Sequence, residues 1–153
     1  MSTSHELRAL LAPMVGGGIL LPSRVIGEVV NYVEPEPYAD SPAWLIGEMR
    51  WSGWQVPVVN FALLAGTTDD DRVPDRSRIL VARTLSEASS VVHVGFIING
   101  LPRMKNISAA SLVEREGEPG EGVFSHVSVD EHPAIIPDLD TLALLIERSV
   151  YKR

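Results

Sequence analysis

The stretch Gly47-Glu48-Met49-Arg50-Trp51-Ser52-Gly53-Trp54-Gln55-Val56-Pro57-Val58-Val59-Asn60 decides the fold. Apolar and polar residues alternate by twos on both flanks of Ser52-Gly53, the period of a strand with one dry and one wet face. Ser52-Gly53 reads as a two-residue turn, so the stretch is a half-buried hairpin. Pairing across that turn puts Met49, Trp51, Trp54, Val56 and Val58 on one face, and Glu48, Arg50, Gln55 and Pro57 on the other. Proline has no amide proton to donate, which predicts Pro57 at an edge or a bulge, with nearby backbone open to a partner. Residues beside a hairpin turn lie at the rim of a sheet, where a pair of indoles is hard to bury, so Trp54 is expected to stay partly exposed. Asn60 then caps a short helix, 61–65, which Gly66 ends.

Upstream, residues 7–15 and 19–21 flank Gly16-Gly17-Gly18 and read as a hairpin with a glycine tip. Residues 23–30 fit either a short helix or a strand, and Glu34-Pro35-Glu36-Pro37 forces an extended connection. Ser41-Pro42 reads as an N-cap and first helical position, giving one turn before Trp44. Downstream, residues 67–78 are polar and form a loop, and 79–82 and 91–98 are β-rich runs around a Ser-rich turn. Asn99-Gly100 offers another turn before 101–107. The segment 114–122, with four glutamates and three glycines, is expected to be a mobile loop. Residues 124–129 and 134–136 complete the strands, and Asp140 caps a closing helix with Leu142, Leu145, Ile146 and Ser149 on one face. Eight or nine short strands with three short helices describe an all-β body, a barrel or a sandwich; two small barrels fit the same elements.

A chain of 153 residues suits one domain of ordinary size, and 45% hydrophobic with 22% charged residues is a globular composition. Thirteen Lys and Arg stand against 20 Asp and Glu, for a net charge of -7, a field that repels nucleic-acid phosphates and anionic lipid headgroups. The absence of cysteine removes disulfides, thiolate nucleophiles and zinc ribbons, and fits a cytoplasmic setting. The apolar stretch 10–21 is broken by Pro13 and the glycines, which reads as neither a signal peptide nor a membrane span, and leaves the Asn106-Ile107-Ser108 sequon without a secretory context.

The motifs that could carry chemistry each have a plainer reading. Ser125-His126 is the nearest approach to a nucleophile and base, but adjacent residues of a strand point to opposite faces. His126, Asp130, Glu131 and His132 have metal-donor chemistry, yet Asp-Glu-His-Pro also reads as a polar turn. Asp69-Asp70-Asp71 lacks the spaced ligands of a calcium loop, and the three glycines lack the Lys-Ser or Lys-Thr of a phosphate loop. His93 falls on the strand face opposite Val92 and Val94, where a solvent-facing or hydrogen-bonded imidazole is expected. No cofactor is implied.

Read as a unit, residues 44–61 resemble the central hairpin of CheW-like domains, with Gly47, Gly53, Pro57, Val58 and Val59 in place. Leu20-Leu21-Pro22-Ser23-Arg24-Val25 with Glu28, Pro37 ahead of Pro42, the Arg78 strand, Val94-Gly95-Phe96-Ile97-Ile98-Asn99 and the terminal strand and helix from Ala134 follow in the family's order. The resemblance implies one domain over residues 1–153, built from two five-stranded SH3-like barrels. It further implies a non-enzymatic adaptor between the cytoplasmic tips of methyl-accepting chemoreceptors and a CheA-type histidine kinase. It places partner contacts at Ile26, Glu28 and Val29, and at Arg50, Trp51, Ser52, Gly53 and Trp54 of the hairpin tip. The chain departs from the family pattern at Ser52, where arginine is usual, and at Asn60 and Asn99, where aspartate is usual. With the bulky Trp51 and Trp54, these departures resemble the accessory ChpC type of type IV pilus chemosensory systems. The alternatives are a generic SH3-like peptide-binding module, or a small metal-dependent enzyme using residues 126–132.

Overall fold

Leu7–Met14 (β1) folds back at Val15-Gly16 onto Gly17–Pro22 (β2), with Leu10, Ala12 and Met14 of the first and Ile19 and Leu21 of the second buried on one face. The computed structural model describes residues 6–85, 87, 89–117 and 120–150. After a single 3-10 turn, Ser23–Val25, the chain runs through Ile26–Asn31 (β3), Leu45–Trp51 (β4), Trp54–Val59 (β5), the helix Phe61–Ala65 (α1), Arg78–Arg83 (β6) and His93–Ile98 (β7). It closes with Arg103–Ile107 (β8), Leu112–Arg115 (β9), Val123–Val129 (β10), His132–Pro137 (β11) and the helix Leu139–Val150 (α2).

These strands form two sheets, one of six in the order β8-β1-β2-β11-β10-β9 and one of five in the order β3-β6-β7-β5-β4. Pairing is antiparallel except at β2–β11 and β5–β7, where each sheet is completed by a distant segment. The five-stranded sheet curls until its two edges meet: Trp51 of β4 donates its indole N–H to Glu28 Oε1 of β3 at 2.9 Å. A Cβ on Gly27 would lie 3.0 Å from the same indole, so a side chain there would crowd the seam.

Strand alternation sorts the apolar residues into three layers. Ala9, Leu20, Ile107, Val127, Val129 and Ala134 fill the six-stranded barrel. Met49, Val56, Val58, Ile79, Val81 and Ile97 fill the five-stranded one. The opposite faces of the same strands, among them Leu10, Ala12, Ile19, Leu21, Leu80, Val94 and Phe96, pack against each other and against Leu142 and Ile146 of α2 as a shared core. Phe61 and Phe96 meet edge to face there, with centroids 5.7 Å apart. One shared layer welds the lobes into a unit.

The all-β, two-barrel architecture matches the expectation, and the central hairpin turns at Ser52-Gly53 with Trp51 opposite Trp54. Asn60 Oδ1 accepts the N–H of Leu63 at 3.2 Å, and Gly66 ends α1 at φ 80°. Several local expectations are corrected. One barrel has six strands, because β9 runs into the start of the segment expected to be a loop; Glu114 and Arg115 are strand residues, and 118 and 119 lie outside the described residues. The first hairpin turns at Val15-Gly16, so Gly17 and Gly18 are paired strand residues. Ser41 donates its hydroxyl to the Leu45 carbonyl at 3.0 Å instead of capping, and Leu45 N–H bonds Pro42 O at 2.9 Å, which makes a turn and not a helix. Asn99-Gly100 does not close a hairpin, since β8 crosses to pair with β1 in the other sheet. The cap of α2 is Asp138, whose Oδ1 accepts from Thr141 N–H at 3.1 Å, two residues ahead of Asp140.

Pro57 meets one half of its expectation, lying beside an irregularity of β4 between Leu45 and Gly47, and corrects the other. Its strand is interior to the sheet and the residue is buried, so no backbone there is open to a partner. The missing amide is tolerated for a local reason. Glu48, opposite Pro57, turns both its backbone groups away to Glu36, in two bonds of 2.9 Å, and the ladder to β7 begins only at Val58.

Candidate partner-binding site

The mouth of the five-stranded barrel is where the two edges meet. The tip of the β4–β5 hairpin has positive φ at both turn residues, 49° at Ser52 and 81° at Gly53, the signature of a turn whose twist matches that of the strands it joins. That geometry puts Trp51 and Trp54 side by side on the dry face. Trp51 is half-buried and bonded to Glu28; Trp54 is 46% exposed, as expected. Between them lies His93, at the start of β7, with ring centroids 5.2 Å from Trp51 and 4.9 Å from Trp54 in edge-on contacts of 64° and 61°.

His93 is the residue the sequence reading missed. It is half-buried, and its Nδ1 is sequestered with no hydrogen-bond partner, so it is neither solvent-facing nor hydrogen-bonded there. Desolvation, and secondarily the charge of Arg83 directly opposite on β6, hold its pKa below the usual 6.5. A signal was present. The alternation that sets His93 opposite Val94 also sets it on the face of Gly95 and Ile97, and Gly95 faces the barrel interior, where a Cβ would lie 2.8 Å from Ile79.

Of the residues singled out from sequence, Glu28, Trp51, Ser52, Gly53 and Trp54 form one continuous surface. Arg50 is exposed on the opposite side of the hairpin, across from Gln55. Ile26 and Val29 lean on the shared core, because an irregularity between Ile26 and Glu28 turns Glu28 to the barrel mouth and both of these residues the other way.

The other candidates resolve into local structure. Ser125 and His126 pair with Ile136 and Ile135 as successive strand residues, and the serine hydroxyl's contact is the His126 carbonyl at 3.5 Å, not the imidazole. Asp130 and Glu131 are the two turn residues between β10 and β11, with φ 48° and 70°; Asp130 receives Lys105 Nζ at 3.6 Å and donates its N–H to Ser111 O at 3.2 Å. Among the described residues no three His, Asp or Glu side chains converge as a metal site would require. Asp70 of the acidic run is bound by Arg72 at 2.8 Å, a bond that holds its carboxyl down to about 2. Among the described residues no helix is long and apolar enough to cross a membrane.

Residues 9–147 match the model of the CheW-like domain. The chain belongs to the CheW-like domain family. Its fold is similar to that of the scaffolding protein TtCheW from Thermoanaerobacter tengcongensis, with a TM-score of 0.71 and 17% identity over 88% of this chain and 90% of that one. A comparison with curated proteins gives no match. Within the CheW-like frame the departures have local consequences. Asn60 caps α1 as an aspartate would, and the side-chain oxygen of Asn99 accepts the Ser77 hydroxyl at 3.5 Å. Ser52 leaves the tip without a charge, between two indoles.

Proposed function

We propose that this CheW-like protein is a non-enzymatic coupling adaptor, holding the cytoplasmic tip of a methyl-accepting chemoreceptor to a CheA-type histidine kinase at membrane-associated receptor arrays. The observation that supports this most is the barrel mouth. An indole left 46% exposed beside a fixed carboxylate is an apolar anchor with a polar neighbour, the composition of a protein-binding hot spot. The tryptophan pair and the uncharged tip favour the accessory, ChpC-like role beside a type IV pilus and twitching system.

The test is capture of receptor and kinase by the wild-type chain and by Trp54→Ala, with bound proteins identified by mass spectrometry. The wild type is expected to retain both, and Trp54→Ala to lose about 2 kcal/mol of binding, roughly thirtyfold, with thermal stability nearly unchanged. Wild-type capture of proline-rich or other peptides with no receptor or kinase would replace the adaptor with a generic SH3-like module. Equal capture by a folded Trp54→Ala variant would remove the tip from the interface.

A further inference from the structure

Trp51 is held twice, by the Glu28 carboxylate and by His93, whereas among the described residues the aromatic contact of Trp54 is with His93 alone. The imidazole is therefore the prop on which the exposed indole rests. Its Nδ1 is enclosed and faces no acceptor. A neutral imidazole tolerates this, because an unprotonated ring nitrogen need not donate, but a proton added there would be a buried donor and a buried charge with nothing to receive it. We propose that His93 is the positioning residue of the hairpin tip, that only its neutral form fits between the indoles, and that acidification releases Trp54 and with it the partner-facing surface.

The charges around the ring favour the neutral form. Arg83 faces it from β6, and a second cation there is repelled. Glu28, from β3, is engaged by the Trp51 N–H, and Glu87, in the connection from β6 to β7, is exposed to solvent. From β4, Glu48 and Arg50 lie on the other face of the hairpin, and β5 carries no ionisable residue. The β1 strand packs on the far side of β7 through the shared core. Protonation of Nδ1 then requires water to reach an atom that the packed arrangement encloses. Because the packed ring resists protons and the released ring does not, the released state gains as pH falls through and below 6.5. Each unit separating the two pKa values converts to about tenfold in the release equilibrium.

The effect on binding rests on the adaptor reading; the release of Trp54 does not, and the experiment separates them. In the full chain without partner, acrylamide quenching of tryptophan fluorescence is expected to rise reversibly on acidification from about pH 7.5 to about pH 5. In His93→Phe, which keeps an apolar ring and loses the titrating nitrogen, quenching is expected to stay at the neutral wild-type level throughout. Two-dimensional NMR supplies the second measurement on the unaltered chain: the Trp54 indole N–H should shift with the midpoint of the His93 ring, below 6.5, while that of Trp44 stays still. A flat wild-type quenching profile, an equal rise in His93→Phe, or a Trp54 signal indifferent to His93 titration would overturn the proposal. Captured kinase or receptor should weaken about tenfold per unit of pKa difference on acidification in the wild type and not in His93→Phe. No capture at neutral pH sinks the adaptor reading and leaves the quenching result standing, and pH-indifferent capture beside rising quenching overturns the link to binding.

Discussion

Two hairpin tips of this molecule have the same backbone and opposite cargo. Ser52-Gly53 joins β4 to β5 with φ 49° and 81°; Asp130-Glu131 joins β10 to β11 with φ 48° and 70°. Each is a two-residue turn that fixes the register of its strands. The first is flanked by Trp51 and Trp54, which reach His93 and Glu28 and close a barrel. The second is flanked by Val129 and His132, and its polar groups go to Lys105 and Ser111 nearby. Turn geometry therefore says where a tip is and nothing about its use. What distinguishes the tips is the residue pair just outside the turn and what the sheet curvature brings against it.

The largest test of that contrast is Trp51→Ala. The indole spans the two edges of the five-stranded sheet, packs against Gly27 and bonds Glu28, so its removal opens a seam. Truncation of a packed tryptophan costs about 3 kcal/mol or more, which for a chain of this size lowers Tm by roughly 6 to 12 °C in calorimetry. A loss no greater than that of an alanine at Asp130 would mean that the two tips are structurally equivalent and that the barrel closes without Trp51.

The central hairpin and α1 were legible because their determinants are local. Alternation, a Ser-Gly turn, an Asn cap and a Gly stop all lie within residues 47–66, and each was found where expected. The crossovers were not legible. Nothing near Asn99-Gly100 announces that β8 pairs with β1, far back at the start of the fold, because that pairing is chosen by which apolar face needs covering. The strand β9, charged and mostly exposed, is likewise imposed by its partner β10. The site divided in the same way. Trp51, Trp54 and Glu28 were singled out separately, but their meeting depends on the sheet curling edge to edge, and His93 enters only through the parallel β5–β7 pairing.

The second tip carries its own test, of intermediate size. Both of its turn residues adopt the left-handed region although neither is glycine, whereas the first tip places a glycine at its second position. Replacing Glu131 by glycine removes the Cβ penalty at φ 70°. The gain is expected to be about 0.5 to 1 kcal/mol, read as a raised denaturation midpoint with an unchanged slope, and partner capture should not move. A destabilised Glu131→Gly variant would show that the glutamate side chain itself supports the turn.

Asp130→Asn should have the smallest effect, and its smallness is informative. Two contributions oppose. The aspartate loses its ion pair with Lys105, a 3.6 Å contact whose partners keep 26% and 56% of their side-chain surface in solvent, worth a few tenths of a kcal/mol. Asparagine, however, sits more readily than most residues at positive φ and is favoured at the first position of such turns, which returns a similar amount. The net change is expected to lie within about 0.5 kcal/mol at low salt. Ionic strength separates the two contributions, because screening acts on the ion pair and not on backbone preference. Raising salt should lower the wild-type stability slightly and leave Asp130→Asn unmoved, so that the two converge or cross. A low-salt loss well above 1 kcal/mol would make Lys105–Asp130 a structural clasp between β8 and the second tip, as Trp51–Glu28 is between β4 and β3, and the contrast between the tips would then be one of chemistry alone.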